Sequence, residues 1–151
     1  MATSEVSPSA AGLRTLSHPT RLKMLMLLRL EGPATATTLA SQLKLNTGAT
    51  SYHLRQLAEH GFIVEDTGRG DARDRWWRSA HQSTRASMTA RTPEEAESVD
   101  AYLRAVALFY TESLMQAAAE RRHLPLPWQE AITTSDGHLN LTAARARELT
   151  D

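Results

Sequence analysis

The chain contains no cysteine. That excludes disulfides, thiolate metal sites and cysteine nucleophiles together, and it fits a reducing compartment. Long apolar runs are also missing. The greasiest stretch, residues 22–30, is interrupted by Lys23 and Arg29 and is far too short to span a bilayer. Residues 1–12 are small and polar, without the apolar segment of a secretory signal. Enzyme signatures are absent too: no phosphate-binding loop, no dinucleotide-type glycine pattern and no nucleophile elbow. Net charge is zero, yet the charges are segregated. Residues 10–91 hold twelve cations and six acids, whereas residues 92–151 hold five cations and ten acids. The basic part is the candidate for a polyanionic partner. At 151 residues the chain has the size of one domain with an appendage.

Thirteen residues are the most informative: Leu45-Asn46-Thr47-Gly48-Ala49-Thr50-Ser51-Tyr52-His53-Leu54-Arg55-Gln56-Leu57. They read as a turn into a helix with two unlike faces. Thr50, Leu54 and Leu57 fall at i, i+4 and i+7 and point to a core. Gly48, Ala49, Ser51, Tyr52, Arg55 and Gln56 are left on the outer face. That face is small at its start, hydrogen-bonding in its middle and cationic towards its end. Such a helix suits the DNA major groove, where Arg55 reads guanine or holds a phosphate and Gln56 serves adenine or the backbone. Ser51 and Thr47 bond phosphate or base edges, and Tyr52 offers an aromatic body with a hydroxyl. His53 lies nearer the core and is expected to make a structural hydrogen bond. An amphipathic helix with a merely solvated face is the plainer alternative.

The flanking pattern supports the first reading. Leu13 and Leu16 form a short apolar stripe. Ser17 caps and Pro19 opens a helix whose apolar face is Leu22, Leu25, Met26, Leu28 and Leu30, stopped by Gly32-Pro33. Thr37 and Thr38 are candidate N-caps of a short helix with Leu39, Ala40 and Leu43 inward. The recognition helix runs to about His60, with Gly61 at its end. Phe62-Ile63-Val64 and Arg75-Trp76-Trp77-Arg78 then read as two strands of a hairpin around a Gly- and Arg-rich loop. Arg69, Arg73 and Arg75 make it cationic, diluted by Asp71 and Asp74, and it suits the phosphates or the minor groove. One of Trp76 and Trp77 is expected in the core. Residues 81–92 read as a linker or an extra edge strand.

The longest helix signal covers 93–122, with Glu94, Glu95 and Glu97 at its start and Arg121 and Arg122 at its end, as the helix dipole favours. Its apolar residues Val99, Tyr102, Leu103, Val106, Phe109, Tyr110 and Leu114 are too many for a small domain to cover. Together with Leu13 and Leu16 they are the candidate dimerisation residues. Tyr102, Phe109 and Tyr110 lining a ligand pocket is the less favoured option. Trp128 to Leu141 reads as a second hairpin and Thr142 as the cap of a last short helix; the sequence stops inside what looks like an unfinished element.

Leu16-Ser17-His18-Pro19-Thr20-Arg21-Leu22 resembles the opening of the ArsR-type winged-helix transcriptional regulators. So does the stretch 45–63, with its Ser-Tyr-His-Leu-Arg-Gln-Leu core and Gly61. The run from Arg69-Gly70-Asp71 to Arg78 is similar to the wing of actinobacterial-style members. The likeness covers about residues 13–80. It implies a repressor acting as a homodimer on a roughly palindromic operator in double-stranded DNA, released by a ligand. The family's best-known inducers are metals, but this chain lacks thiolates, and Asp100, Glu112, His123 and the turn residues Asp136 and His138 do not form a paired ligand set. No metal and no cofactor is expected; a small-molecule effector stays open.

The expected architecture is mainly α with a small β-hairpin (α+β). Residues 1–12 are a flexible tail, 13–80 a winged helix-turn-helix, 81–92 a linker, 93–122 a long dimerisation helix and 123–151 a C-terminal extension. The expected function is that of a cytoplasmic, non-enzymatic regulator with no membrane association. Lys44, Thr47, Gly48, Ala49, Ser51, Tyr52, Arg55, Gln56, Arg69, Arg73 and Arg75 are its candidate DNA contacts. The alternative is a winged-helix protein–protein module whose basic face docks an acidic partner.

Overall fold

Local chemistry sets the helix starts. In the computed structural model, which describes residues 4–69, 74–135 and 137–149, four successive helices begin on a side chain that accepts a backbone N–H. Ser9 accepts from Gly12 at the head of α1 (Ala10–Leu16). His18 Nδ1 accepts from Thr20 at 3.2 Å at the head of α2 (Pro19–Leu30). Thr35 accepts from Thr38 ahead of α3 (Ala36–Leu43), and Asn46 from Ala49 ahead of α4 (Thr47–Glu59). Two of these correct the sequence reading. Ser17 does not cap α2, because its hydroxyl donates back to the Arg14 carbonyl at 2.7 Å; His18 takes the position instead. Thr35, not Thr37 or Thr38, caps α3. It is held extended by strand β2 (Ala34–Thr35), which is the backbone shape an N-cap needs.

The expected hairpin forms from β3 (Ile63–Glu65) and β4 (Trp76–Ser79). With β2 they make a three-stranded antiparallel sheet in the order β2-β4-β3, with Ile63 opposite Ser79 and Thr35 opposite Trp76. Trp77 is the buried tryptophan and Trp76 the half-buried one. Gly61, with φ +73°, turns the chain between α4 and β3. This left-handed backbone suits a residue without Cβ. Lys44 adopts the same region at φ 55° in the turn between α3 and α4, where its N–H closes onto the carbonyls of Ala40 and Ser41.

One core joins these elements: Leu13, Leu16, Met24, Leu25, Leu28, Leu39, Leu54, Leu57, Phe62, Ile63, Trp77, Val99 and Tyr102. On α2 the buried set is Leu22, Met24, Leu25 and Leu28, whereas Leu30 is exposed. Leu30 follows Leu28 by two residues, about 200° around the helix, and so faces the opposite way.

The N-terminal segment is not a free tail. β1 (Glu5–Val6) pairs in parallel with β5 (Ser83–Thr84), and Arg85 Nε meets Glu5 at 2.8 Å. Of the two readings of residues 81–92, the edge strand is the one that forms. After it, α5 (Pro93–Glu120) carries Glu94 and Glu95 in its first turn. Its N-terminal half is part of the core, through Ser98, Val99, Tyr102 and Ala105.

The chain divides into two units, Met1–Leu114 and Met115–Asp151. The second unit holds the end of α5, a 3-10 turn (Arg121–His123), α6 (Leu126–Ala131) and α7 (Ala143–Glu148). Thr142 caps α7, and Arg145 pairs with Glu148 within it. The expected hairpin is corrected here: Trp128 lies in a helix, and no strand occurs among the described residues of this unit. Pro127 stands in the first turn of α6, where a missing N–H costs no hydrogen bond. The Leu-Pro-Leu-Pro run therefore starts a helix rather than only breaking one. Asp136 lies outside the described residues.

Candidate nucleic-acid interface

The turn at Lys44 and the Asn46 cap fix where α4 begins. Thr50, Leu54 and Leu57 then anchor it, each essentially without exposed surface. Thr50 is held further by its hydroxyl, which donates to the Asn46 carbonyl at 3.0 Å. The opposite face presents Gly48, Tyr52, Arg55 and Glu59, all exposed, with Ala49, Ser51 and Gln56 half-buried beside them. These four exposed positions recur every three to four residues and make one stripe along the helix. The Arg55 guanidinium is steadied by its own helix, Nε donating to the Ser51 carbonyl at 3.3 Å. Glu59 closes the stripe with a negative charge and accepts from Gln56 Nε2 at 3.1 Å. A polyanion therefore meets favourable chemistry on the first three turns and an acid on the last.

Helix and wing share a groove. A cleft of about 430 Å³ is lined by Thr37, Thr47, Ser51, Arg55, Asp74 and Arg75, among others, and floored in part by Trp77. Thr47, Ser51, Arg55 and Arg75 are thus brought together. Thr37 and Asp74 join them without having been singled out as contacts. The signal for Thr37 was present: it sits in the first turn of α3, next to the β2–β4 pairing that fixes the base of the wing. Arg69 stands apart, on the loop after β3. Both described wing arginines have internal partners. Arg69 meets Asp66 at 3.3 Å and lies over the Trp76 ring at 6.0 Å. Arg75 meets Glu65 at 3.2 Å and lies over Trp77 at 5.7 Å. Their side chains remain more than half exposed, so such pairs contribute little to stability and exchange readily with phosphate. Arg73, with Gly70 and Asp71, lies outside the described residues.

Several cations of the basic part serve the fold instead. Arg21 Nε donates to the Thr15 carbonyl at 2.6 Å, Arg14 reaches Ser98, and Lys23 pairs with Glu112 at 2.5 Å. Among the described residues no three His, Asp or Glu side chains gather where they could hold a metal ion.

Beneath the start of α4, His53 departs from expectation. Its Nδ1 is buried without a hydrogen-bond partner, and its ring meets that of His18 at 4.6 Å between centroids and that of Tyr52 at 5.6 Å. Burial first, then the neighbouring His18 and Arg21, lower its pKa. Burial and Arg21 do the same to His18, whose unprotonated Nδ1 is needed for the α2 cap. Both groups bind protons less readily folded than unfolded. The stability they contribute is complete above the ordinary histidine value near 6.5 and is lost as pH falls below it. The urea midpoint is therefore lower at pH 5 than at pH 7.5, and His53→Phe narrows the gap. Equal midpoints at the two pH values would show that neither ring is held this way.

The expected dimerisation residues split into two sets. Leu13, Leu16, Val99 and Tyr102 belong to the protomer's own core, and Leu16 has no exposed surface at all. They are corrected here to core residues, because a side chain enclosed by its own chain has no face to offer a second copy. Leu103, Tyr110 and Leu114 are exposed, and Val106 and Phe109 are half-buried.

With this geometry in view, the likenesses to known proteins are narrow. Residues 16–66 match the family model described as a helix-turn-helix domain. No curated protein matches the chain. Among solved structures, reduced HlyU from Vibrio cholerae is similar at 21% identity, covering 62% of this chain and 83% of that one, with a TM-score of 0.41. Wild-type ZitR of Lactococcus lactis in complex with DNA is similar at 20% identity, covering 87% and 72%, with a TM-score of 0.40. A possible transcriptional regulator for arsenical resistance is similar at 26% identity, covering 72% and 93%, again at 0.40. The matched segment contains both stretches that resemble ArsR-type regulators, and β3 and β4 supply the wing. Over residues 16–66 the chain is similar to helix-turn-helix domains.

Proposed function

We propose that this chain is a sequence-specific DNA-binding transcriptional regulator, not an enzyme, acting in the cytoplasm as a homodimeric repressor. The observation that carries the reading is the groove shared by α4 and the wing, where Arg55 and Arg75 line one cleft beside exposed Gly48 and Tyr52. Small residues at the helix start allow close approach to a duplex, and the guanidinium of Arg55 suits the paired acceptors of guanine. Lys44, Arg69 and Arg75 hold phosphates.

Pairing rests on α5. Leu103, Val106, Tyr110 and Leu114 fall on one stripe at helical spacing, and three of them are exposed. A second copy covering that stripe gives a two-fold assembly whose half-sites lie about 34 Å apart, one turn of the duplex.

Arg55→Ala tests the role of α4. The variant weakens binding to the cognate operator by about 1–3 kcal/mol, while binding to random duplex changes much less. Titrations of both duplexes at one salt concentration decide it. An equal loss on the two would make Arg55 a phosphate clamp and move base reading elsewhere.

A further inference from the structure

A second cleft, of about 320 Å³, lies away from α4, between α2, α5 and the β5 segment. Its walls are largely apolar: Leu22 and Met26 on one side, Val106, Phe109 and Tyr110 on the other. Phe109 and Tyr110 meet edge to face with centroids 5.7 Å apart. That volume is at the small end for ligand pockets, enough for one ring and its substituent.

One charge breaks this apolar lining. Arg29 leaves the last turn of α2 and is half-buried against the β5 segment. Its Nε donates to the His81 carbonyl at 3.0 Å and its Nη2 to Thr84 Oγ1 at 2.9 Å. A guanidinium has five N–H groups, so both donors of Nη1 and the second of Nη2 remain. Among the described residues no carboxylate pairs with Arg29, unlike Lys23, Arg69, Arg75, Arg85 and Arg145. A partly desolvated cation without a counter-ion is an unfavourable thing to leave in an apolar cleft. The phenols of Tyr102 and Tyr110 line the same space. Burial raises the Tyr102 pKa, with Arg29 opposing, so at neutral pH that hydroxyl stays protonated and able to donate.

The fixed hydrogen bonds to His81 and Thr84 orient the guanidinium before any ligand arrives. Its remaining donors form a fork matched to the two oxygens of a carboxylate. The aromatic and thioether walls match a flat ring. We propose that this cleft binds a small aromatic monocarboxylate, its carboxylate on Arg29 and its ring between Met26, Phe109 and Tyr110. Val106 and Tyr110 also stand on the α5 stripe assigned above to pairing, so binding here requires the cleft to stay open beside the second copy, while the DNA-binding test does not enter it.

Calorimetric titration of the full chain with benzoate, and with benzamide as the uncharged mimic of the same shape, tests it. Benzoate binds saturably with a Kd of about 1 mM or tighter, and benzamide at least tenfold more weakly. Arg29→Gln, shown folded by circular dichroism, loses benzoate affinity by at least tenfold. Met26→Trp fills the ring site while leaving the guanidinium in place, and loses binding likewise; it serves should the Arg29 variant not fold. The proposal is overturned by no saturable benzoate binding up to about 10 mM, the outcome a second copy plugging the cleft would produce. It is also overturned by equal binding of benzamide, or by wild-type affinity in either folded variant.

Discussion

Phe62→Ala lowers the unfolding free energy by about 3–5 kcal/mol, the range for removing a fully enclosed aromatic side chain. Phe62 is 1% exposed and sits where three parts of the domain meet. Its N–H donates to the Leu57 carbonyl at the end of α4, and its carbonyl accepts from Ala80 beyond β4. Its ring reaches α1: a Cβ placed on Gly12 would stand 3.3 Å from Phe62 Cζ. Truncation opens a cavity in the cluster that α1, α4 and the sheet share. Domains of this size are stable by only about 5–15 kcal/mol, so a large share of the margin disappears. Denaturant unfolding followed by circular dichroism reads the loss. A cost under about 1 kcal/mol would mean that the ring is not packed as described.

Duplex affinity falls steeply with salt. In the proposed homodimer each subunit offers Lys44, Arg55, Arg69 and Arg75 among the described candidates, eight in the pair. Arg69 and Arg75 already face Asp66 and Glu65, so between about four and eight phosphates are neutralised. The log–log slope then lies near −4 to −7, a loss of roughly 10²–10⁴-fold between 50 and 200 mM salt. Fluorescence anisotropy on one labelled operator at several salt concentrations gives the slope. A flat dependence would turn the reading towards a module that docks an acidic protein through the same face.

The helix-turn-helix was legible because its signals are local. The turn at Leu45-Asn46, the inward triad Thr50, Leu54 and Leu57, and the Gly61 turn all lie within seventeen residues, 45–61; the cap that Asn46 supplies came only with the structure. The wing was legible for the same reason: period-two strands flank a glycine-bearing loop. What escaped depends on distance along the chain. The pairing of Glu5 with Ser83 joins two-residue strands nearly eighty residues apart, and two residues carry no period. Periodicity marked Val99 and Tyr102 as apolar without saying against what; they pack in their own protomer. Residue counting gave Arg14, Arg21 and Arg29 the same weight as Arg55, because composition does not reveal which guanidiniums are committed to carbonyls and hydroxyls of the fold. The C-terminal helix at Leu126–Ala131 was hidden by its prolines, which break helices in the middle and begin them at the end.

Lys44 carries a tension of its own. A left-handed backbone costs a residue with a Cβ about 1–2 kcal/mol, and glycine would relax the corner that aims α4. Glycine there would also delete one of the positive charges proposed to hold the duplex. If Lys44 holds the duplex as proposed, ease of folding and strength of grip are opposed at a single position, and a variant selected only for heat resistance at residue 44 is driven towards a looser hold.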